Sequence, residues 1–398
     1  MKLIVVGAGQ AGCNIADEFA AMGKWVWENR RLRIFTGGSH DEVIGGVFAV
    51  NLGATDLYGL KHIPPNDRHT ILLGTTDEFR GRGAGKINKH GAEQARLGSK
   101  TIVSTIRDHG EVYQADAFLV IASTAGGTGS GSVGVIVDLL KDNFRKPVYA
   151  MLALPFHHQY TEPDSVVNTA TCLKRVMENS KADAVFLVDN EIFVRRNESA
   201  EENYSIINRR IADSFMDLLC VGEETDPRYI GEVLDANDLI NILKGPTTIG
   251  VSNTAVPHVA SSLWGRFKGS KDQGKHFSDG KIEMERAYDG LQDALKSLSI
   301  DCEYRANGEF NYDAQSVLGL YGGPAHTARE EIIEMMDGFL SERVPGAGRR
   351  TGTYPGRTSD TIGFTIIISG IGQGATMDRI GWFYTEAPKI LSRIEETR

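Results

Sequence analysis

The chain has 398 residues, too many for one compact core of ordinary size, so two domains are expected. Hydrophobic residues make up 41% and charged residues 24%, a globular composition, and the formal net charge of -9 argues against a surface built for nucleic acid or anionic lipid. Cys13, Cys172, Cys220 and Cys302 form no CxxC pair, which suggests neither a zinc site nor a disulfide framework and fits a reducing cytoplasm.

In chain order, Met1–Val6 reads as a buried strand and Cys13–Met22 as the helix behind its glycine turn. Leu32–Phe35, Val47–Asn51 and Ile71–Gly74 read as strands, and the glycine-rich "RGRGAGKINKHG" precedes a helix over Gly91–His109. Phe118–Ser123 is a strand and Ser132–Lys141 the next helix. Strands at Val148–Pro155 and Ala184–Asp189 flank a helix running from about Ser165 to Asn179. Alternating strands and helices predict a doubly wound parallel sheet. "ENYSIINRRIADSFMDLLCV" then spaces its apolar residues as one long helix, followed by the acidic loop "GEETDPRYIGEVLDAND". A second α/β unit is expected beyond it, with helices at Met284–Leu298 and Ala325–Leu340 and strands near Ser316–Tyr321 and at Gly363–Ser369. Gly265–Lys281 and Pro345–Asp360 read as mobile loops, and "WFYTEAPKILSRIEETR" as a last helix with Pro388 near its start. No apolar run reaches the roughly 18–20 residues of a membrane helix. "MKLIVVGAG" is too short for a signal peptide.

"AFLVIASTAGGTGSGSVGVIVDLL" places Gly126, Gly127, Gly129 and Gly131, interleaved with Thr128 and Ser130, between a strand and a helix. Glycines there let backbone N–H groups approach a phosphate, and positive φ angles can turn several inward. The following helix would aim its N-terminus at the anion while Thr128 and Ser130 add hydroxyls. No Lys-Ser or Lys-Thr follows, so this is not the usual P-loop. Gly7, Gly9 and Gly12 spell G-x-G-x-x-G, but the candidate second strand "LRIF" ends in Thr36, Gly37 and Gly38 with no acid for a ribose, which weakens an NAD- or FAD-dependent oxidoreductase reading.

"GAGQAGCN", "AGGTGSG", "TEPDSVVN" with "VDNEIF", and "YSIINRRIADSF" occur in the order seen in the tubulin/FtsZ superfamily of polymerising GTPases, and the chain resembles that family. "VNLGATDLYGLKHIPP", "RGAGKINKHGAEQA" and "LDANDLINILKG" are similar to its archaeal CetZ branch. The resemblance implies a Rossmann-like parallel-sheet GTPase domain (1–198), a long central helix with a catalytic loop (199–238), and a smaller C-terminal α/β domain (239–398). It implies GTP/GDP held by Gly9, Gln10, Ala11, Gly12 and Asn14 from one side and Gly126–Gly131 from the other. Asn51 and the loop Gly83, Ala84, Gly85 and Lys86 would contact nucleotide, with Arg82 or Lys86 supplying charge near the terminal phosphate. Glu162 would accept from the ribose hydroxyls and Asn190 would read the guanine edge. Tyr204 and Asn208, one turn apart on the long helix, would stack on the base and bond to it.

The resemblance also implies that a subunit from above completes the site. Asp238 would polarise water, with Asp235 its partner or a cation ligand; plain helix capping is the competing role for either. Mg2+ is expected on the phosphates, although Gly53 stands where the family has an acid and Val233 where FtsZ has asparagine. A partner follows: the chain itself, in head-to-tail longitudinal polymers. Control of archaeal cell shape or motility is implied, with cell division as the alternative, and an adaptor at a membrane or cytoskeleton is left open. A subunit that binds nucleotide but hydrolyses little is a further alternative.

Overall fold

The computed structural model describes residues 1–35, 46–75, 79, 81–195, 198–221, 223, 234–255, 284–306, 309–323, 330–355 and 361–396. The order begins β1 (Leu3–Ala8), α1 (Gly9–Arg30), β2 (Val47–Asn51), α2 (Ala54–Tyr58), β3 (Thr70–Leu72), α3 (Asn88–Leu97), α4 (Ser99–His109), β4 (Ala117–Ser123) and α5 (Thr128–Phe144). It continues with β5 (Val148–Leu154), α6 (Pro163–Asn179), β6 (Ala184–Asp189), α7 (Asn190–Phe193), α8 (Ala200–Ser214), α9 (Met216–Cys220), α10 (Ala236–Ile242) and β7 (Gly245–Ala255). The last part holds α11 (Met284–Lys296), β8 (Glu303–Ala306), β9 (Glu309–Tyr312), β10 (Ser316–Gly323), α12 (Glu330–Arg343), β11 (Gly348–Pro355), β12 (Thr361–Ser369) and α13 (Ala375–Glu396).

One ten-stranded sheet runs through the whole chain in the order β11-β10-β12-β7-β6-β5-β4-β1-β2-β3. From β7 to β3 every pairing is parallel, whereas β12 is antiparallel to both β7 and β10. The central strands are apolar at nearly every position because both faces are covered. Their alternate side chains separate into two cores. Ile4, Val6, Phe118 and Val120 belong to the core that also takes in α5, α6, α11, α12 and α13, while Leu3, Val5, Leu119 and Ile121 belong to the one that takes in α1, α8, α9 and α10.

β6 and β7 share only three paired positions, Ala184–Phe186 with Gly245–Thr247. Beyond them Ser299 takes over the edge of β6: its hydroxyl donates to Leu187 O (2.7 Å) and its carbonyl accepts from Asp189 N (2.7 Å).

Several expectations change. Leu32–Phe35 makes one bridge, Leu3 to Phe35, because β2 takes the edge of β1 from Val5 onward. The helix expected over Gly91–His109 is two, α3 and α4, meeting at Gly98. The long helix breaks at Phe215, where Ser214 Oγ bonds back to Ile211 O (2.7 Å) and the ring locks edge-on against Phe186 and Phe19. Pro388 lies inside α13 rather than near its start, since Ile380 and Phe383 upstream already bury a helical face. The strand β7 and the β8–β9 hairpin were not expected. Part of the supposed loop Pro345–Asp360 is β11, an edge strand whose polar side chains hid it. Gly265–Lys281 lies outside the described residues.

Candidate functional site

β1 and β4 lie side by side in parallel register, Gly7 opposite Ile121 and Ala8 opposite Ala122, so α1 and α5 start next to each other at the C-terminal edge of the sheet. The two turns touch backbone to backbone. A Cβ on Gly9, whose φ is +70°, would stand 2.5 Å from Gly129 N, and one on Gly129 would stand 2.6 Å from Ala8 O. Neither helix has an acidic residue in its first turn or a side-chain cap. The first-turn N–H groups, which have no intrahelical partner, thus converge from two helices with two aligned dipoles. Such a convergence favours an anion. Gln10, Ala11 and Asn14 are exposed, while Gly12 is buried against Ile121 O.

The glycine cluster works differently from the expectation. None of Gly126, Gly127, Gly129 and Gly131 takes a positive φ. α5 begins at Thr128, four residues early, so most of the cluster is the first helical turn. Three of its glycines permit close packing: Gly127 against Ala84, Gly129 against Ala8, Gly131 against Asn88 O. At Gly126 a Cβ would meet nothing within 4 Å, so this position faces open space. Ser130 Oγ donates to Gly126 O and tightens the turn, which commits the hydroxyl expected to face the phosphate.

The loop from Gly81 carries positive φ at Gly83 (88°), Gly85 (60°) and Lys86 (60°), the last a costly conformation for a side-chain-bearing residue. Asn168, buried on α6, holds it there: its Nδ2 donates to Lys86 O (2.8 Å) and Ala125 O (3.1 Å), tying this loop to the glycine turn. Lys86 Nζ meets Glu162 Oε2 at 2.9 Å, and Ser165 Oγ donates to the same oxygen at 2.9 Å. The hydrogen bonds from Lys86 and Ser165 hold the Glu162 carboxyl below its ordinary range.

Asn51 ends β2 almost wholly buried. Its Oδ1 accepts from Leu52 N (2.8 Å) and Gly53 N (3.2 Å), and its Nδ2 donates to Asp56 Oδ2 (2.9 Å). A Cβ on Gly53 would stand 2.8 Å from that same carboxylate oxygen. The space a side chain at 53 would enter is therefore filled by an acid from three residues on. Ala54 N bonds to Gly81 O (3.0 Å), which places this carboxylate beside the loop leading to Lys86. A single carboxylate near a phosphate site is the donor set Mg2+ takes when it keeps most of its water, so the residues present fit that ion.

On the other flank, Asn190 opens α7 at the end of β6 and spends its Nδ2 on Leu154 O (2.8 Å), leaving its Oδ1 to accept. Tyr204, 47% exposed on α8, packs edge-on to Phe156 at 5.4 Å, with Asn208 one turn further. His157 N donates to Glu191 Oε1 (2.7 Å), joining the loop before Glu162 to the turn that carries Asn190.

Asp235 and Asp238 stand apart from all of these. α10 leads into β7, whose Gly245 pairs with Ala184, the first residue of β6, so both acids lie at the N-terminal edge of the parallel strands, opposite the glycine turns. They form a capping box: Asp235 Oδ1 accepts from Asn237 N (2.7 Å) and Asp238 N (3.0 Å), and Asp238 Oδ2 accepts from Asp235 N (3.1 Å). Val233 lies outside the described residues. A cleft of about 880 Å³ opens between α1 and α8, lined by Glu18, His62, Arg209 and Asp213, and contains none of the expected site residues.

A family model for the Tubulin/FtsZ family, GTPase domain, matches residues 2–197, and one for the tubulin-like CetZ C-terminal domain matches residues 197–388. The chain belongs to the tubulin/FtsZ superfamily of GTPases. Within it the likeness is to the archaeal CetZ branch. The tubulin-like protein CetZ1 of Haloferax volcanii is 28% identical over 407 residues, covering 100% of this chain and 94% of its own. CetZ of Pyrococcus furiosus is 24% identical over 388 residues, covering 96% and 88%. Among solved structures, CetZ1 from H. volcanii as a GDP-bound monomer superposes with a TM-score of 0.75 at 25% identity, covering 98% of this chain and all of that one. CetZ2 from the same organism, as a GTPγS-bound protofilament, gives 0.77 at 23%, covering 99% and 100%. A dinucleotide reading of Gly7–Gly12 loses its remaining ground, since the strand after α1 ends on Asn51, not an acid.

Sequence reasoning overlooked Asp56 and Asn168. Asn168 left a signal: it sits on the apolar stripe of α6 with Ser165, Val166, Cys172 and Leu173, where a buried amide requires polar partners. Asp56 left none, because its position in space depends on the turn at Gly53.

Proposed function

We propose that the chain binds GTP between the starts of α1 and α5 and hydrolyses it when copies stack head to tail. The observation that carries this reading is the separation of its two halves. The anion site would be at one edge of the sheet, and the exposed Asp235 and half-buried Asp238 are at the other. A heterologous contact joining opposite edges repeats without closing, which gives a protofilament. The GTPγS-bound protofilament of CetZ2 supports both the nucleotide and the assembly.

In this reading Gly9–Gly12 and Asn14 lie under the phosphates, Gly126–Gly131 wraps them, and Gly83–Lys86 meets the terminal group. Lys86 and Glu162 exchange their mutual ion pair for the γ-phosphate and the ribose hydroxyls. Asn190, with its amide nitrogen already used, accepts from guanine N1–H and N2–H, donors that adenine does not offer at those positions. Tyr204 covers the base, and Asn208 bonds to it. Mg2+ would be held through water by Asp56, braced by Asn51, and would neutralise charge on the phosphates. Asp238 of the stacked copy orients the attacking water and accepts its proton as the bond to the β-phosphate oxygen breaks, and Asp235 holds that turn in place. The location is cytoplasmic, and the role is control of cell shape or motility.

Mixing two disabled proteins tests the reading. Gly126→Val fills open space in the cradle and blocks nucleotide, while Asp238→Asn removes the acid. Each alone is expected to turn over little GTP. Mixed, they regain activity wherever an intact cradle meets an intact acid. No recovery in a mixture that still forms filaments defeats the inter-subunit site. Denaturing the purified wild-type protein and finding no guanine nucleotide released or bound defeats the nucleotide reading itself.

A further inference from the structure

We propose that Arg379, Trp382 and Phe383 on α13 are positioning residues for the nucleoside, with Arg379 governing recognition of the base and the aromatic pair governing recognition of the ribose. The inference rests on the site proposed above and extends it into the C-terminal half of the chain.

Asp189 is the last residue of β6, and its side chain is 4% exposed. Its Oδ1 accepts from Glu191 N (3.1 Å), closing the turn that presents Asn190. Its Oδ2 accepts from Arg379 Nη2 at 2.5 Å. One buried carboxylate is therefore shared between the base-reading turn and a helix 190 residues away in sequence. The guanidinium is itself anchored, since Nη2 also donates to Thr376 Oγ1 (3.1 Å), which accepts from Asp301 N (3.1 Å). Without Arg379 the carboxylate would be buried and lack its counter-charge, and the turn at Asn190 would lose its fixed orientation.

The second contact is mainly aromatic, although the Tyr160 hydroxyl also lies against Arg379. Tyr160 stacks on Trp382 with 5.7 Å between ring centroids and an interplanar angle of 27°, and meets Phe383 edge-on at 5.2 Å. Tyr160 belongs to the 3-10 turn His157–Thr161, which runs directly into Glu162. Phe383 is fully buried, so this aromatic seat is fixed to the core of the C-terminal half. Each loop that would touch the nucleoside is thus seated on α13 by its own contact. A packing role alone would weaken every nucleotide equally, whereas seating the two loops mainly through different groups shifts the two recognition steps unequally.

The test measures equilibrium binding of GDP, inosine diphosphate and 2′-deoxy-GDP to full-length protein. Inosine lacks the exocyclic amine that Asn190 would read, and the deoxy compound lacks a hydroxyl for Glu162. Arg379→Met is expected to cut the GDP preference over inosine diphosphate by about tenfold and to change the ribose preference far less, while Arg379→Lys retains most of the first. Trp382→Ala, at a half-exposed position the fold tolerates, is expected to cut the preference for GDP over its deoxy form by about threefold. Equal weakening of all three ligands by either variant, or no change, overturns the inference. Wild-type protein that binds none of them defeats the nucleotide site and the inference together. Wild-type preferences that survive in the variants defeat the inference alone.

Discussion

The two edges of the parallel strands are built on opposite plans. At the C-terminal edge, segments far apart in sequence meet: Gly9 against Gly129, Gly131 against Asn88, Asn168 between Lys86 and Ala125. At the N-terminal edge, Asp235 and Asp238 bond within their own turn, Asp235 exposed and Asp238 half-buried. In the proposed reading the difference follows from the task. A phosphate needs N–H groups fixed from several directions, and only a whole sheet can fix them. A carboxylate that serves a ligand on another molecule needs only a rigid local turn and an open face.

The sharpest attack on that contrast is Asp238→Asn. Its amide oxygen can still accept from Asp235 N, so the capping box survives while the charge goes. Turnover in assembled protein is expected to fall by about 100-fold or more, with GDP affinity within about twofold of wild type. Phosphate release and nucleotide titration measure the two, and wild-type turnover in filaments removes the catalytic assignment.

Next in size is a pair of glycine variants. Gly9→Ala forces a Cβ into Gly129 N at a positive φ and should cost about 2–4 kcal/mol. Gly126→Ala faces open space and should stay within about 0.5 kcal/mol in a thermal melt while weakening nucleotide binding. Equal melting losses for both would mean that the cradle is not divided into packed and open glycines.

Asp56→Asn should reduce the gain in GTPγS affinity that Mg2+ provides by about tenfold and leave Mg2+-free GDP binding unchanged. Moving the acid back, with Gly53→Asp and Asp56→Ala together, should restore part of it, because Gly53 has an ordinary φ of -93°. Titration calorimetry with and without Mg2+ decides, and an unchanged Mg2+ dependence in Asp56→Asn rejects this carboxylate.

The smallest effect concerns pH. The folded Glu162 carboxyl sits below its ordinary range, so its pairing contributes fully above that range and is lost as pH falls through the lowered value. Both partners are well exposed, so solvent keeps the contribution slight. The melting difference between wild type and Glu162→Gln should be small near neutrality and vanish in acid. A difference that grows in acid contradicts the ion pair.

How legible this was in the sequence depended on where each signal was local. The parallel strands announced themselves as unbroken apolar runs, and Val47–Asn51 and Ala184–Asp189 fall where the pattern placed them. The glycine turns were visible, but the reason for their glycines was not: close approach between α1, α3 and α5 is a property of the packed sheet, and no spacing encodes it. β7 begins Gly-Pro-Thr-Thr, polar enough to pass for a loop, yet its Thr247 and Thr248 are buried and bonded to Ser369 and Ser299. Asp56 and Arg379 needed three dimensions altogether, one because a neighbour lacks a side chain, the other because its partner lies 190 residues away.

The short ladder between β6 and β7 has its own consequence. Its neighbours β4–β5 and β5–β6 share six positions each, and β12–β7 shares nine, but this junction has three, all at the base of β6. Past residues 184–186 the end of β6 pairs with no strand on the β7 side, and individual bonds hold it instead. Ser299 and Arg379 supply those bonds, so the seam between the two halves of the sheet lies beside the proposed nucleoside pocket.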